Sequence, residues 1–164
     1  MEGDDDIPGL IGDLIRFGTI ETVDLGAGKA TVRAGDIVTP DLPWFEWGGA
    51  FRTWHPPTVG EQVVLFCAEG DIAHGVIMRG LFSTTFPKLG EGENPQIHGP
   101  DGLVITLAGD GIQITAPGGV TIEGDVSVTG TINASEDVIA DGISLKSHPH
   151  GGVQSGGSYT DPPS

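Results

Sequence analysis

The apolar residues of this chain follow two different rhythms. From Gly18 to Ser83 they come in short alternating runs broken by turn residues, as strands with one buried face require. Thr19–Asp24 and Lys29–Arg33 flank Leu25-Gly26-Ala27-Gly28, which is a hairpin signature. An irregular stretch rich in Gly, Pro and Trp, Ala34–Pro57, follows. Gly60–Cys67 then reads as a buried strand, Glu69-Gly70-Asp71 as a turn and Ala73–Arg79 as the returning strand. Five or so short strands over about 65 residues predict a small closed barrel, and the OB-fold is the commonest of that size. Helical spacing occurs only at Ile7–Phe17, where Leu10, Leu14 and Phe17 share a face behind the acids Glu2, Asp4, Asp5 and Asp6. Segment 1–17 is therefore either a short helix or a solvated tail, and Gly9 and Gly12 weaken the helix.

Thr84–Pro100 is rich in Pro and Gly and reads as a linker. Beyond it the rhythm changes. Leu103, Ile105 and Leu107, then Ile112 and Ile114, Val120 and Ile122, Val126 and Val128, Ile132, Val138, and Ile143 with Leu145 recur about every six residues, with Gly or Asp at the breaks. This is a short internal repeat of the β-solenoid kind. Each segment offers only two inward apolar residues, so one chain cannot easily bury the pattern or pair its strand edges. Three identical chains wound about a common axis would do both. The expected architecture is all-β: an OB-fold over 18–83, a linker over 84–100, an intertwined trimeric β-helix over 101–147 and an apex over 148–164.

Charge narrows the partners. The 164 residues carry 23 acidic and 7 basic side chains, a formal net charge of −16. Over 99–164 Lys146 is the only basic residue against eight acids. Phosphate binding needs clustered Lys and Arg, so no nucleic-acid partner is expected. No apolar run approaches about 18 residues, as a membrane-spanning helix would need. No basic start leads into an apolar stretch, so no secretory signal is expected. The single Cys67 excludes an internal disulfide framework and lies within an apolar strand as an inert core residue.

The segment most suggestive of chemistry is Ser147-His148-Pro149-His150, followed by the glycines 151, 152, 156 and 157. On an extended chain residues two apart point the same way, so His148 and His150 would face one side together. Alone they make an incomplete site, and a His-containing tail is the alternative. On a threefold axis they become six nitrogens around one point. Zinc prefers four ligands, whereas an octahedral imidazole site points to iron or nickel, with iron favoured by availability. The expected cofactor is one iron ion per trimer, ligated by His148 and His150 of each chain. Six imidazoles leave no open position for substrate, so the metal's role would be mechanical. No GxSxG, P-loop or HExxH motif occurs, and no enzyme is expected. His55, His74 and His98 read as turn, barrel and linker residues. The aromatic cluster Trp44, Phe45, Trp47, Phe51 and Trp54 has only Arg52 as a basic neighbour. It reads as packing against the barrel or a neighbouring subunit. The alternative is an OB-fold carbohydrate-binding or adhesion module.

Three stretches resemble one known family. They are Leu14–Ile20; Val59–Phe66 continued through Gly70–Ile77 to Gly80–Ser83; and the His-Pro-His segment with Gly151-Gly152-Val153-Gln154-Ser155-Gly156-Gly157. Together they resemble the central spike of contractile phage tails, the baseplate assembly protein V (gpV) family. The resemblance implies an OB-fold, a three-stranded intertwined β-helix and a metal-bearing apex, with His148 and His150 as iron ligands. It also implies a virion location at the tail baseplate tip, or at the equivalent tip of a bacteriocin or secretion machine. The implied partners are tail-tube and baseplate hub proteins and the host outer membrane, which sheath contraction would drive the spike through. Some relatives carry a lysozyme domain after the barrel. Thr84–Pro100 is too short to hold one, so cell-wall hydrolysis is not carried over.

Overall fold

A computed structural model describes residues 12–149, 152, 156 and 157. The chain divides into two units, Met1–Pro117 and Gly118–Ser164.

The first unit opens with a strand rather than a helix. Ahead of it only residues 12–14 are helical among those described, and β1 (Ile15–Asp24) starts at once. Residues 7–11 of the expected helix lie outside the described residues. Phe17 belongs to the strand because β1 is stitched along its first half to β5 (Gln62–Cys67), with Ile15 opposite Phe66 and Phe17 opposite Val64. Interstrand pairing over five residues outweighs a weak helical spacing interrupted by glycine.

The second half of β1 turns into β2 (Lys29–Ala34) through the expected hairpin. Asp24 builds that turn. Its Oδ1 accepts the N–H groups of Gly26 at 2.9 Å and Ala27 at 3.0 Å, and Gly28 adopts φ +64°. Two short strands, β3 (Ile37–Val38) and β4 (Leu42–Pro43), both return to β2. β6 (Gly75–Leu81) pairs with β5, giving the sheet order β3-β2-β1-β5-β6. A parallel bridge between Trp44 and Ile77, with the Phe45 N–H donating to Ile77 O at 2.8 Å, joins the end of β4 to β6 and closes the sheet on itself. Alternation along the strands sends Ile20, Ala30, Val32, Leu42, Val63, Leu65, Cys67 and Ile77 to one interior. Burial raises the Cys67 thiol pKa, keeping it protonated. Gly18 is required where β1 crosses β2: a Cβ there would lie 2.4 Å from Val32 Cγ1 and 2.9 Å from Arg33 O.

Glu61 is the one buried carboxylate among the described residues. It receives the Arg79 guanidinium in a forked pair, Nε–Oε1 at 3.0 Å and Nη2–Oε2 at 2.8 Å. Its Oε2 also accepts the Thr58 N–H at 3.0 Å, while Arg79 Nη1 donates to His55 O. One ion pair thus ties the loop 55–58 to the end of β6.

The stretch expected to be a linker contains a strand. β7 (Gln96–His98) pairs with β8 (Val104–Ala108), and β8 with β9 (Gly111–Thr115), giving a three-stranded antiparallel sheet. Its residues pair because Ile97 continues the apolar row of Ile105 and Ile114. The turn Pro100-Asp101-Gly102 between β7 and β8 uses two left-handed residues, Asp101 and Gly102. Between Thr115 and Ile139 the described chain forms no strand. The second unit closes with β10 (Ile139–Ala140) and β11 (Ile143–Ser144), paired around Asp141-Gly142. Both turn residues have positive φ, +49° and +78°, the type I′ conformation that Asp-Gly favours.

Candidate functional site: apex histidines and aromatic loop

The apex is built on the β10–β11 hairpin. Asp137 Oδ1 accepts the Val138 N–H at 2.8 Å and the Lys146 N–H at 3.1 Å, and the Leu145 N–H bonds Val138 O at 2.8 Å. Hydrogen bonding from Ser144, then from backbone amides, lowers the Asp137 carboxyl below its ordinary value. A negative side chain therefore clamps both ends of the hairpin just before the chain reaches His148. Ser144 continues the clamp, its Oγ accepting the Ser147 N–H at 2.9 Å.

His148 Nδ1 lies 2.8 Å from the Ser144 carbonyl oxygen. A carbonyl only accepts, so Nδ1 carries the hydrogen of that bond. Beside the ring is an apolar hollow of about 230 Å³ lined by Val138, Ala140, Ile143 and Leu145. His148 thus borders the apolar face of the hairpin. His150 lies outside the described residues. Among the described residues no group of three or more His, Cys, Asp or Glu side chains gathers into a metal cluster.

The aromatic loop is the second candidate. Glu46 organises it, accepting the Trp44 Nε1–H at 3.1 Å, the His55 N–H at 2.6 Å and the Thr53 hydroxyl. Those bonds, Thr53 foremost, hold the Glu46 carboxyl below its ordinary value. A bridge between Gly48 and Arg52 narrows the loop to a tip. Trp44 is buried in the barrel and touches Trp54, with ring centroids 5.4 Å apart and tilted by 53°. Trp47 and Phe51 stand out from the tip, 68% and 88% exposed. Of the packing expected of the cluster, against the barrel or a neighbouring subunit, a single chain shows the barrel part, concentrated in Trp44. Two other histidines have local side-chain partners: His74 Nδ1 meets Asp71 Oδ2 at 2.7 Å, and His98 Nε2 meets Gln96 Oε1 at 2.8 Å.

Two features escaped the sequence reading. The Glu61–Arg79 pair joins the residue just before β5 to β6, and an acid and a base on segments expected to pair were its only trace. The Asp137 clamp was hidden among many solvated acids, and Asp-Gly at the hairpin turn was the available signal.

Comparison with known proteins agrees with this layout. Residues 16–82 match the type VI secretion system/phage-baseplate injector OB domain, and residues 142–164 match the GpV Apex motif. By these matches, with the relative described next, the chain belongs to the gpV family of central spikes. It is similar to the spike protein of Escherichia phage P2, with 31% identity over 137 residues, covering 77% of this chain. The match spans 60% of that relative's length. Family membership locates the chain at the virion tail baseplate tip, or at the equivalent tip of a phage-tail-like particle.

Proposed function

We propose that the chain is a structural, membrane-piercing spike, working as a homotrimer driven through the host outer membrane by sheath contraction. The observation that carries this reading lies between Thr115 and Ile139. There the described residues form no strand, yet Val120, Ile122, Val126, Val128 and Ile132 alternate with polar residues and stand exposed on one chain. Exposed aliphatic side chains on a strandless backbone need both a cover and hydrogen-bonding partners. Two further copies, interwound with this strandless segment as a β-helix, supply both. Tail-tube and baseplate hub proteins would hold the barrel end.

The donor set fits an iron ion at the apex. His148 has its Nδ1–H held by a backbone carbonyl, as ligating imidazoles commonly do. His148 and His150 of each of three chains would together hold one shared ion. Such an ion would supply a crosslink between three chain ends. The protein's own contribution is rigidity: Asp137 and Ser144 hold the hairpin that presents the first histidine.

Sedimentation with elemental analysis tests this. The expected mass is three times the 16.9 kDa chain, with one iron per three chains. A His148→Ala, His150→Ala variant should lose the iron and stay trimeric. A monomer at every concentration would overturn the spike reading. The exposure of Trp47 and Phe51 favours a second reading, in which the aromatic tip binds envelope carbohydrate. Saturable quenching of tryptophan fluorescence by a lipopolysaccharide core oligosaccharide, lost in Trp47→Ala, would support it.

A further inference from the structure

The outside of the barrel presents two unlike surfaces. Along β1 and β2 it is polar: Arg33 forks onto Glu21 at 2.9 and 2.6 Å, and Thr22 meets Thr31 at 2.7 Å. Across β1, β5 and β6 it is apolar. Register sets Ile15, Phe66 and Val76 in one row and Phe17, Val64 and Met78 in the next. Val63, Leu65, Cys67 and Ile77, which alternate with them, fill the interior, so both rows face outward. Val64, in the middle of its row, is nearly covered, whereas Phe17 is 66% exposed and Ile15 51%. A contiguous apolar patch on a chain with a net charge of −16 marks a contact surface.

The aromatic tip offers a second feature of the same unit. Phe51 is the most exposed large apolar side chain among the described residues. The backbone that carries it is closed on itself: the Trp47 N–H donates to Thr53 Oγ1 at 3.0 Å, and the Thr53 N–H to Trp47 O at 3.3 Å. Arg79 Nη1, donating to His55 O, ties the base of the tip to β6. An aromatic side chain on a pre-organised support loses little freedom on binding. Beside it Arg52 is exposed and in no ion pair among the described residues.

We propose that Phe51 of one copy seats on the outward β1-β5-β6 face of the next, closing three barrels into a ring. The inference rests on the trimeric reading above and adds to it a contact made within the barrel unit. The occupant is a second copy for two reasons. Contacts around a threefold axis are heterologous, so each copy must offer two different surfaces that fit each other. An apolar face and a projecting apolar side chain on one barrel meet that need, and the polar β1–β2 face does not. Charge agrees. Asp13, Glu69 and Asp71 stand exposed at the end of the face where Ile15, Phe66 and Val76 lie, with Asp13 against the turn at Gly70. Arg16 pairs with Asp13, and the rim remains negative. It suits Arg52, the one Lys or Arg of the tip. Three chains of −16 each must keep their acids apart, and this contact brings together only uncharged and oppositely charged groups.

Cross-linking of the full chain tests the contact, with the buried native Cys67 as background. A head-to-tail contact joins unlike positions. Treated with a short bis-maleimide, the double variant Phe51→Cys, Phe17→Cys should run as covalent dimers and trimers on denaturing gels. Either substitution alone should run as monomer. Met78→Cys replaces Phe17→Cys should the first pair fail to fold. Covalent dimers from Phe17→Cys alone would mean that like faces meet on the axis, and would overturn the proposal. So would the absence of linked species from a folded double variant that sediments as a trimer, since the face would then belong to a different protein. A monomeric wild type would instead overturn the trimeric reading itself.

Discussion

Replacing Arg79 by Met should unsettle the barrel by stranding a nearly buried carboxylate. Arg79 and Glu61 retain only 15% and 10% side-chain exposure, so their attraction is little screened. Arg79→Met removes both forks of the pair and the bond to His55 O, leaving the Glu61 carboxylate with the Thr58 N–H as its remaining hydrogen bond. Breaking a buried pair from one side costs about 3–5 kcal/mol. Residual solvent contact puts the expected loss at the low end, about 3 kcal/mol. For a domain this small each kcal/mol lowers the melting temperature by about 4–8 °C. Urea unfolding followed by tryptophan fluorescence is the assay, since Trp44 is buried in the same barrel. The double variant Glu61→Gln, Arg79→Met removes the stranded charge and should recover part of the loss. A single variant within about 0.5 kcal/mol of wild type would refute the reasoning, and so would a double variant no more stable than the single.

Three further outcomes are expected. Gly18→Ala should destabilise the barrel by about 1–3 kcal/mol, since its Cβ would press on a backbone carbonyl as well as on Val32; a neutral effect in thermal melts would show that β1 and β2 can move apart. Trp44→Ala should cost about 3–5 kcal/mol, while Trp47→Ala should leave barrel stability nearly unchanged; equal losses would mean that Trp47 is covered in the assembled protein. Because the Glu46 carboxyl is held below its ordinary value, its contribution to the aromatic loop is present above the ordinary carboxylate range and lost as pH falls through the lowered value. An acid-induced change in Trp44–Trp54 fluorescence should therefore be absent in Glu46→Gln, and its persistence there would assign it to another group.

Much of this molecule is local in origin and was legible in order of residues. Asp24 and Gly28 specify the first hairpin through bonds and a backbone conformation within a few positions of one another. Alternation from Ile20 to Ile77 specifies which side chains enter the barrel, because a strand's period of two leaves no other face for them. The two-residue apolar repeat beyond Leu103, and the histidines two apart at 148 and 150, were likewise plain from spacing. What tertiary structure alone decided depends on partners distant in sequence. Phe17 joins a strand rather than a helix because Val64 lies opposite it. Ile97 becomes a strand residue, in a stretch whose composition reads as linker, because Ile105 and Ile114 extend its row. Glu61 is buried because Arg79, 18 residues away, arrives from the next strand with a matching fork. Of five clustered aromatics, Trp44 is the one taken into the barrel because it sits where β4 must meet Ile77 to close the sheet. Spacing along a chain reports which way a side chain points, but the neighbour it meets there is set only when the strands pair.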